Sequence, residues 1–259
     1  MSRSVSKATR VFVEGLDMSG YSRSIGPLDW TYEWAKDEAL AQELYGYLPD
    51  QVTLGLGQLN AAFDNTASIG PHENFKDAEG QMRTVMVAIG RGGSAPVPGD
   101  PIYTGQFAQG SYLTDPGQTG QTLSAQMDFS HSAQADLRGL YAIPWGVLLK
   151  AKGVITGINA AQGILNPFTG IATAHGGFMV YQVLAADDDV ELTVQDAATN
   201  VDGSFVDLVS SGVVGPGASG IVPLARGATV EAYTRWQLGA GTQATYVDFV
   251  LGFVRSFGQ

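Results

Sequence analysis

The chain has 259 residues, of which 44% are apolar and 15% charged, with a formal net charge of −11 from 25 acidic and 14 basic side chains. That is long enough for one large β domain or two small ones around a sizeable core, and too apolar for a disordered segment. The lack of cysteine excludes disulfides, thiolate nucleophiles and Cys-based zinc sites, and the acidic balance is the reverse of what a free-standing nucleic-acid binder carries.

Residues 1–9 read as a flexible arm, basic and polar, without the apolar stretch of a secretory leader. A strand is expected over 10–18. Residues 31–45, TYEWAKDEALAQELY, carry the helix signal, rich in Ala, Leu, Glu and Lys, with Gly46 as its stop and Pro49 just beyond. Alternation of Val52, Leu54 and Leu56 with Thr53, Gly55 and Gly57 predicts a strand over 51–63. A polar excursion follows over 64–80, then an apolar strand over 81–90 and a Gly/Pro loop over 91–101.

Further strands are expected within 101–113, 121–130, 138–156, 176–185, 190–198, 204–210, 228–239 and 244–255. Short strands at this spacing, punctuated by glycine turns, indicate a mainly β protein, an antiparallel sandwich or half-barrel with one short α-helix. The segment 156–177 is long, Gly/Asn/Ala-rich and mildly apolar, the composition of an interface loop in an assembly. No run of about 18 apolar residues offers a transmembrane helix.

Catalytic patterns fail one by one. There is no G-x-S-x-G elbow and no phosphate-binding G-x-x-x-x-G-K. GLGQLN (55–60) has Asn60 where a dinucleotide fingerprint needs its third glycine. His72, His131 and His175 are far apart, and each reads as a surface histidine in a loop or strand end. Asp187, Asp188 and Asp189 form the densest acidic cluster, but the alternating pattern of a calcium loop is missing, so a solvated turn between strands is the expectation. Asp202-Gly203 marks a second turn. The basic residues are spread along the chain with no patch. No enzyme, cofactor or metal is expected; the pattern points to a structural or binding role.

The stretch VFVEGLDMSGYSRSIGP, with Val11, Val13, Asp17, Ser19 and Tyr21, is followed by Tyr47 and Pro49, then Gly55, Gly57 and the Phe63-Asp64 pair. Together with VELTVQDAATNVDGSFVDLVS and the closing VEAYTRWQL and ATYVDFVLGFVR, it resembles the tail tube (major tail) proteins of long-tailed bacteriophages. The resemblance covers about 10–64 and 176–255, and it departs at Asp50, where that family usually has glycine.

It implies a single ring-forming β domain over 10–259 with an elaborated middle at about 65–175, stacked in hexameric rings around a channel for DNA ejection. With six copies the formal charge is 6 × −11 = −66 per ring, so DNA would pass in transit without being gripped. The partners so implied are further copies of the chain, a tape measure and a tail terminator, in a virion tail assembled in the host cytoplasm. Membrane insertion is not expected. Tyr21, Trp30, Trp34, Tyr45, Tyr47 and Phe168 are the candidate subunit-interface aromatics, and Asp187, Asp188 and Asp189 the acidic turn at the surface or lumen. The alternatives are a phage head decoration or other β-sandwich virion protein, and a carbohydrate-binding β-sandwich.

Overall fold

The computed structural model describes residues 8–37, 46–115, 123–129, 131–132, 144–156, 164–165 and 171–256, with backbone only for 30–37, 46–54, 131–132 and 164–165. The fold is mainly β, with antiparallel sheets, a curled half-barrel sheet and, among the described residues, one short α-helix.

Strands β1 (Thr9–Val13) and β2 (Leu16–Asp17) form a tight hairpin where the sequence reads one strand over 10–18. Glu14 and Gly15 turn it with φ of 50° and 74°, the two positive values that a two-residue hairpin turn requires. Ala8, the last residue before β1, is already buried. Strand β3 (Ser22–Gly26) follows, then β4 (Asp29–Asp37) and β5 (Gly46–Gly55), which pair as a two-stranded ribbon.

The helix expected over 31–45 is thus a strand as far as Asp37, while 38–45 lie outside the described residues. In backbone register, Trp30 pairs with Leu54, Tyr32 with Val52 and, past a register shift, Trp34 with Pro49. Backbone pairing with β5 along the length of β4 outweighs helix propensities worth under about 1 kcal/mol per residue.

Gly57, with φ of 64°, separates β5 from β6 (Gln58–Ala62). The short helix lies instead within the polar stretch 64–80, as α1 (Pro71–Phe75). Its start is built locally: the Asp64 carboxylate accepts the Thr66 N–H (2.8 Å), the Asp64 carbonyl accepts the His72 N–H (3.0 Å), and Pro71 takes the first helical position.

Strand β7 (Met82–Ile89) is as expected, while the 101–113 run divides into β8 (Pro101–Ala108) and β9 (Ser111–Asp115). Then come β10 (Ser124–Asp128), β11 (His131–Ser132), β12 (Trp145–Lys150), β13 (Val154–Thr156) and β14 (Ile164–Leu165). The C-terminal part holds β15 (Gly177–Ala186), β16 (Val190–Ala197), β17 (Val206–Val214), β18 (Ser219–Pro223), β19 (Tyr233–Leu238) and β20 (Tyr246–Arg255). Among the described strands, β3, β14 and β18 fall where the sequence predicts none, and β4 falls where it predicts a helix.

The chain divides into two compact units. The first comprises Met1–Ser22, Arg83–Gln106 and Ala135–Gln259. Its long sheet runs β18-β15-β20-β12-β8-β7-β1-β2, with β13 on β20, and its second sheet runs β14-β19-β16-β17. Alternate residues of β15 and β20 serve two cores, as the period of a strand dictates. Met179, Tyr181, Val183, Phe249, Leu251 and Phe253 pack against Leu192, Val194, Trp236 and Leu238 of the second sheet, which makes a β-sandwich. Trp236 meets Phe249 edge to face at 5.2 Å.

Val180 and Val250 point the other way, into a cluster with Phe12, Met86, Ala88, Ile102 and Leu148 on the inside of the curl. Each such buried side chain contributes roughly 1.5 to 3 kcal/mol. Buried Gln182 bridges the curl, its carbonyl oxygen accepting the Gly15 N–H (2.5 Å) and its amide donating to the Thr84 carbonyl (2.9 Å).

The second unit comprises Arg23–Met82 and Phe107–Gln134. It holds the sheet β3-β6-β10-β9, the β4–β5 ribbon and α1. Phe75 of α1 is fully buried and packs edge to face on Phe129 at 6.4 Å. The buried Gln109 amide donates to the Phe75 carbonyl (2.7 Å) and so ties the helix end to the strand connection.

Candidate assembly surface

The acidic turn at 187–189 joins β15 to β16, and its carboxylates work on the loop between β19 and β20. Asp187 accepts the N–H groups of Thr245 (2.8 Å) and Tyr246 (3.1 Å) and the Thr245 hydroxyl. Asp188 accepts the Asp189 N–H (2.8 Å), while the Asp189 carbonyl accepts those of Gln243 and Ala244. Glu191, two residues on, accepts the Ser210 hydroxyl (2.7 Å) and the Gly241 N–H (2.8 Å). The cluster is therefore a clamp on residues 239–246, and the carboxylates of Asp187, Asp188 and Glu191 are engaged with backbone and hydroxyl donors.

These bonds favour the ionised form. Those from Thr245 and Tyr246 hold the Asp187 carboxyl below the ordinary carboxylate range, and those from Ser210 and Gly241 do the same for Glu191. A depressed carboxyl stabilises the fold above its unfolded-state value and loses that contribution as pH falls through its folded-state value. Asp196 has the opposite sign: burial pushes its carboxyl up, so protonation there favours the folded chain. The double variant Asp187→Asn with Glu191→Gln should accordingly melt with a shallower acid limb below about pH 5, as read from thermal midpoints in a pH series.

The turn between β16 and β17 is pinned from beneath. Arg235 is buried and donates from Nε to Gln195 (2.7 Å), pairs through Nη1 with Asp202, and lies 4.3 Å over the Phe205 ring. Gln195 in turn donates to Asp207 (2.6 Å). Val201, Asp202, Gly203, Val206 and Asp207 stay exposed on this fixed turn. The Asp202-Gly203 signal found the turn; the arginine beneath it left no local sequence signal, because Arg235 arrives from a strand over 30 residues later.

Of the candidate interface aromatics, only Tyr21 has a described side chain. Tyr21 is half-buried in the bend after β2, its N–H donating to the Met18 carbonyl (3.0 Å). In that bend Asp17 accepts the Ser19 N–H (2.9 Å) and pairs with Lys152 (2.6 Å). Trp30 and Trp34 lie on β4 and Tyr47 on β5, in backbone register with Lys36. Tyr45 and Phe168 lie outside the described residues, as does most of 156–177. Of the histidines, His175 is exposed, His131 sits on β11 opposite Ala108, and His72 is held between Phe63 and Tyr112. Its Nδ1 lies 3.0 Å from the Tyr112 hydroxyl. No described helix is long and apolar enough to cross a membrane.

No protein-family model matches the chain, and no curated protein matches it. Among solved structures the chain is similar to the SPP1 Dit protein (gp 19.1), presented as a paradigm of the hub adsorption apparatus in phages infecting Gram-positive bacteria. The identity is 12%, over 96% of this chain and 99% of that one, with a TM-score of 0.35. It is also similar to a chain of the infectious bursal disease virus Gt strain, at 9% identity over 98% of this chain and 69% of that one, with a TM-score of 0.26. Likenesses at this level carry no argument about what the chain does.

Proposed function

We propose that the chain is a structural, non-enzymatic subunit of a phage tail, assembling into stacked hexameric rings that form the tail tube for DNA ejection. The observation that carries this reading is the family-like pattern at both ends of the chain. The Asp17-x-Ser19-x-Tyr21 bend follows β1 and β2, and the Gly252-Phe253-Val254-Arg255 ending closes β20. Those strands belong to one curled sheet, the kind of surface that lines a channel when copies stand side by side. The net charge of −11 supports passage of DNA without capture. On this reading the partners are other copies of the chain, a tape measure, a tail terminator and DNA in transit.

Negative-stain microscopy of the purified full-length chain tests the reading. Striated tubes, or rings with a central hole, are the expected result. Discrete trimers would assign the chain to a capsid surface, and monomers that bind glycans would assign it to carbohydrate recognition; either outcome overturns the tube.

A further inference from the structure

Two surface turns of the chain are built alike and present opposite charges. In the first unit the Ala228 N–H donates to the Ala225 carbonyl (3.0 Å), closing a turn with Arg226 and Gly227 at its corners. In the second unit the Gln81 N–H donates to the Ala78 carbonyl (3.0 Å), closing a turn with Glu79 and Gly80 at its corners. Gly227 and Gly80 have φ of 82° and 78°, and a glycine at that position lets the chain reverse tightly behind the charged residue.

Both turns are held in place. The 224–230 stretch lies against 171–177: Thr173 and Val230 exchange two backbone bonds (3.0 and 2.8 Å), and the Gly176 N–H donates to the Ala228 carbonyl (2.9 Å). Buried Arg255 staples the two stretches from beneath through the carbonyls of Ile171 and Val230. Their open surface is a low apolar strip, Ile171 (66% exposed), Ala172, Ala174 and Ala225, with Arg226 at one end. The 78–81 turn is tied to Gln109, whose carbonyl accepts the Gly80 N–H (2.7 Å) and whose N–H donates to the Gln81 carbonyl (2.9 Å). Ala78 is buried beneath it, and Glu79 and Met82 stand exposed. Little ordering is lost when either turn docks.

The two corner charges are also the ones left over. Among the described lysines and arginines of the first unit, Arg91, Lys152 and Arg235 hold carboxylates, Lys150 and Arg255 hold carbonyls, and Arg10 and Arg83 are engaged. Arg226 alone has no partner. Glu231, the carboxylate on its stretch, lies in the field of Arg255. Among the described carboxylates of the second unit, Glu73 pairs with Lys76, Asp77 shares the field of that lysine, and Asp29, Asp64, Asp115 and Asp128 are engaged. Glu79 alone has no partner.

We propose that the 225–228 turn of one copy docks on the 78–81 turn of a second copy of this chain. Arg226 pairs with Glu79, and Met82 lies on the apolar strip. The two turns share no residue and belong to different units, so the contact is head-to-tail and repeats from copy to copy. It deepens the ring reading and rests on it only in requiring that copies associate.

Charge reversal in the full chain tests it. Arg226→Glu and Glu79→Arg should each associate roughly tenfold more weakly than the unmodified chain in sedimentation velocity, because like charges then meet. Neither side chain has a partner within the chain to lose, so melting temperatures should not change. Mixed one to one, the two variants should recover the unmodified association, since the new glutamate of one faces the new arginine of the other. A chain carrying both changes should recover it too. Asp189→Lys, an exposed reversal elsewhere on the first unit, should have no effect.

Unchanged association of the single variants, a mixture that does not recover, or an equal loss in Asp189→Lys would remove this contact and leave the ring reading standing. Lowered melting temperatures in both single variants, restored in the chain with both changes while association never varies, would place the pair within one chain and overturn the contact. Normal assembly of Arg226→Glu with loss of short-duplex DNA binding would give the turn to a phosphate backbone instead. An unmodified chain that is monomeric at every concentration would remove the ring reading as well.

Discussion

Replacing Arg255 by alanine should destabilise the first unit by roughly 3 to 5 kcal/mol, the usual cost of removing one partner from a buried charged network. Arg255 is 2% exposed at the end of β20. Its Nε donates to the Thr173 hydroxyl (2.7 Å), and its Nη2 to the carbonyls of Ile171 (2.5 Å) and Val230 (2.8 Å). The side chain therefore staples three stretches of chain that are distant in sequence. The backbone bridge between Thr173 and Val230 and the bond from the Ser256 N–H to the Gly176 carbonyl (3.1 Å) depend on the same alignment.

Removal also takes away the cation whose charge offsets buried Asp196, already pushed up by desolvation. Arg255→Lys should recover less than half of the loss, since an ammonium on a flexible stem cannot reproduce the guanidinium fork. Urea unfolding of the two variants gives both values. The single variant Asp196→Asn should cost less than Arg255→Ala, because it removes a carboxylate that is unfavourably buried.

The strands were largely legible because the sandwich obliges β15, β16, β19 and β20 to alternate faces, and Val, Leu and Phe at a period of two write that obligation into the sequence. The failures have specific causes. Over 31–37, composition favoured a helix, but Trp30, Tyr32 and Trp34 alternate and a partner strand lies across the ribbon; pairing is a tertiary fact that local propensity does not contain. Over 64–80 the reverse occurred. A helix of five residues from Pro71 to Phe75 leaves too short a period to detect, and its first turn is tied by a backbone bond from the His72 N–H to the Asp64 carbonyl, which any residue could accept.

The acidic cluster at 187–189 was legible as a turn, because it falls between two apolar runs. Its role as a clamp was not, since Thr245, Tyr246 and Gly241 lie over 50 residues away. A cavity beside β1 was hidden for the same reason: its lining comes from β1, β7, β12, β20 and two loops, and none of those residues is unusual alone.

The closure of the curled sheet gives the sharpest comparison between two chemically identical changes, Gly15→Ala and Gly227→Ala. Both glycines have positive φ, 74° and 82°, a region that costs an L-residue roughly 1 to 2 kcal/mol. A Cβ on Gly227 would meet nothing within 4 Å. One on Gly15 would stand 2.2 Å from the Gly217 carbonyl oxygen, deep inside contact distance, and backbone on both sides cannot swing away as a side chain would. Gly15→Ala must therefore separate the β1–β2 turn from the turn before β18.

That separation also pulls the Gly15 N–H from buried Gln182, and the loss of its 2.5 Å bond leaves a buried acceptor unpaired. Gly227→Ala should lower stability by about 1 to 2 kcal/mol, the conformational cost alone. Gly15→Ala adds overpacking of roughly 1 to 3 kcal/mol and the lost hydrogen bond, for a total of roughly 3 to 6 kcal/mol. Chemical unfolding of both variants measures the difference. Equal losses would mean that the curl is not closed at Gly15, whereas a larger loss at Gly15, shared by Gln182→Leu, would identify this junction as what holds the sheet in its curled form.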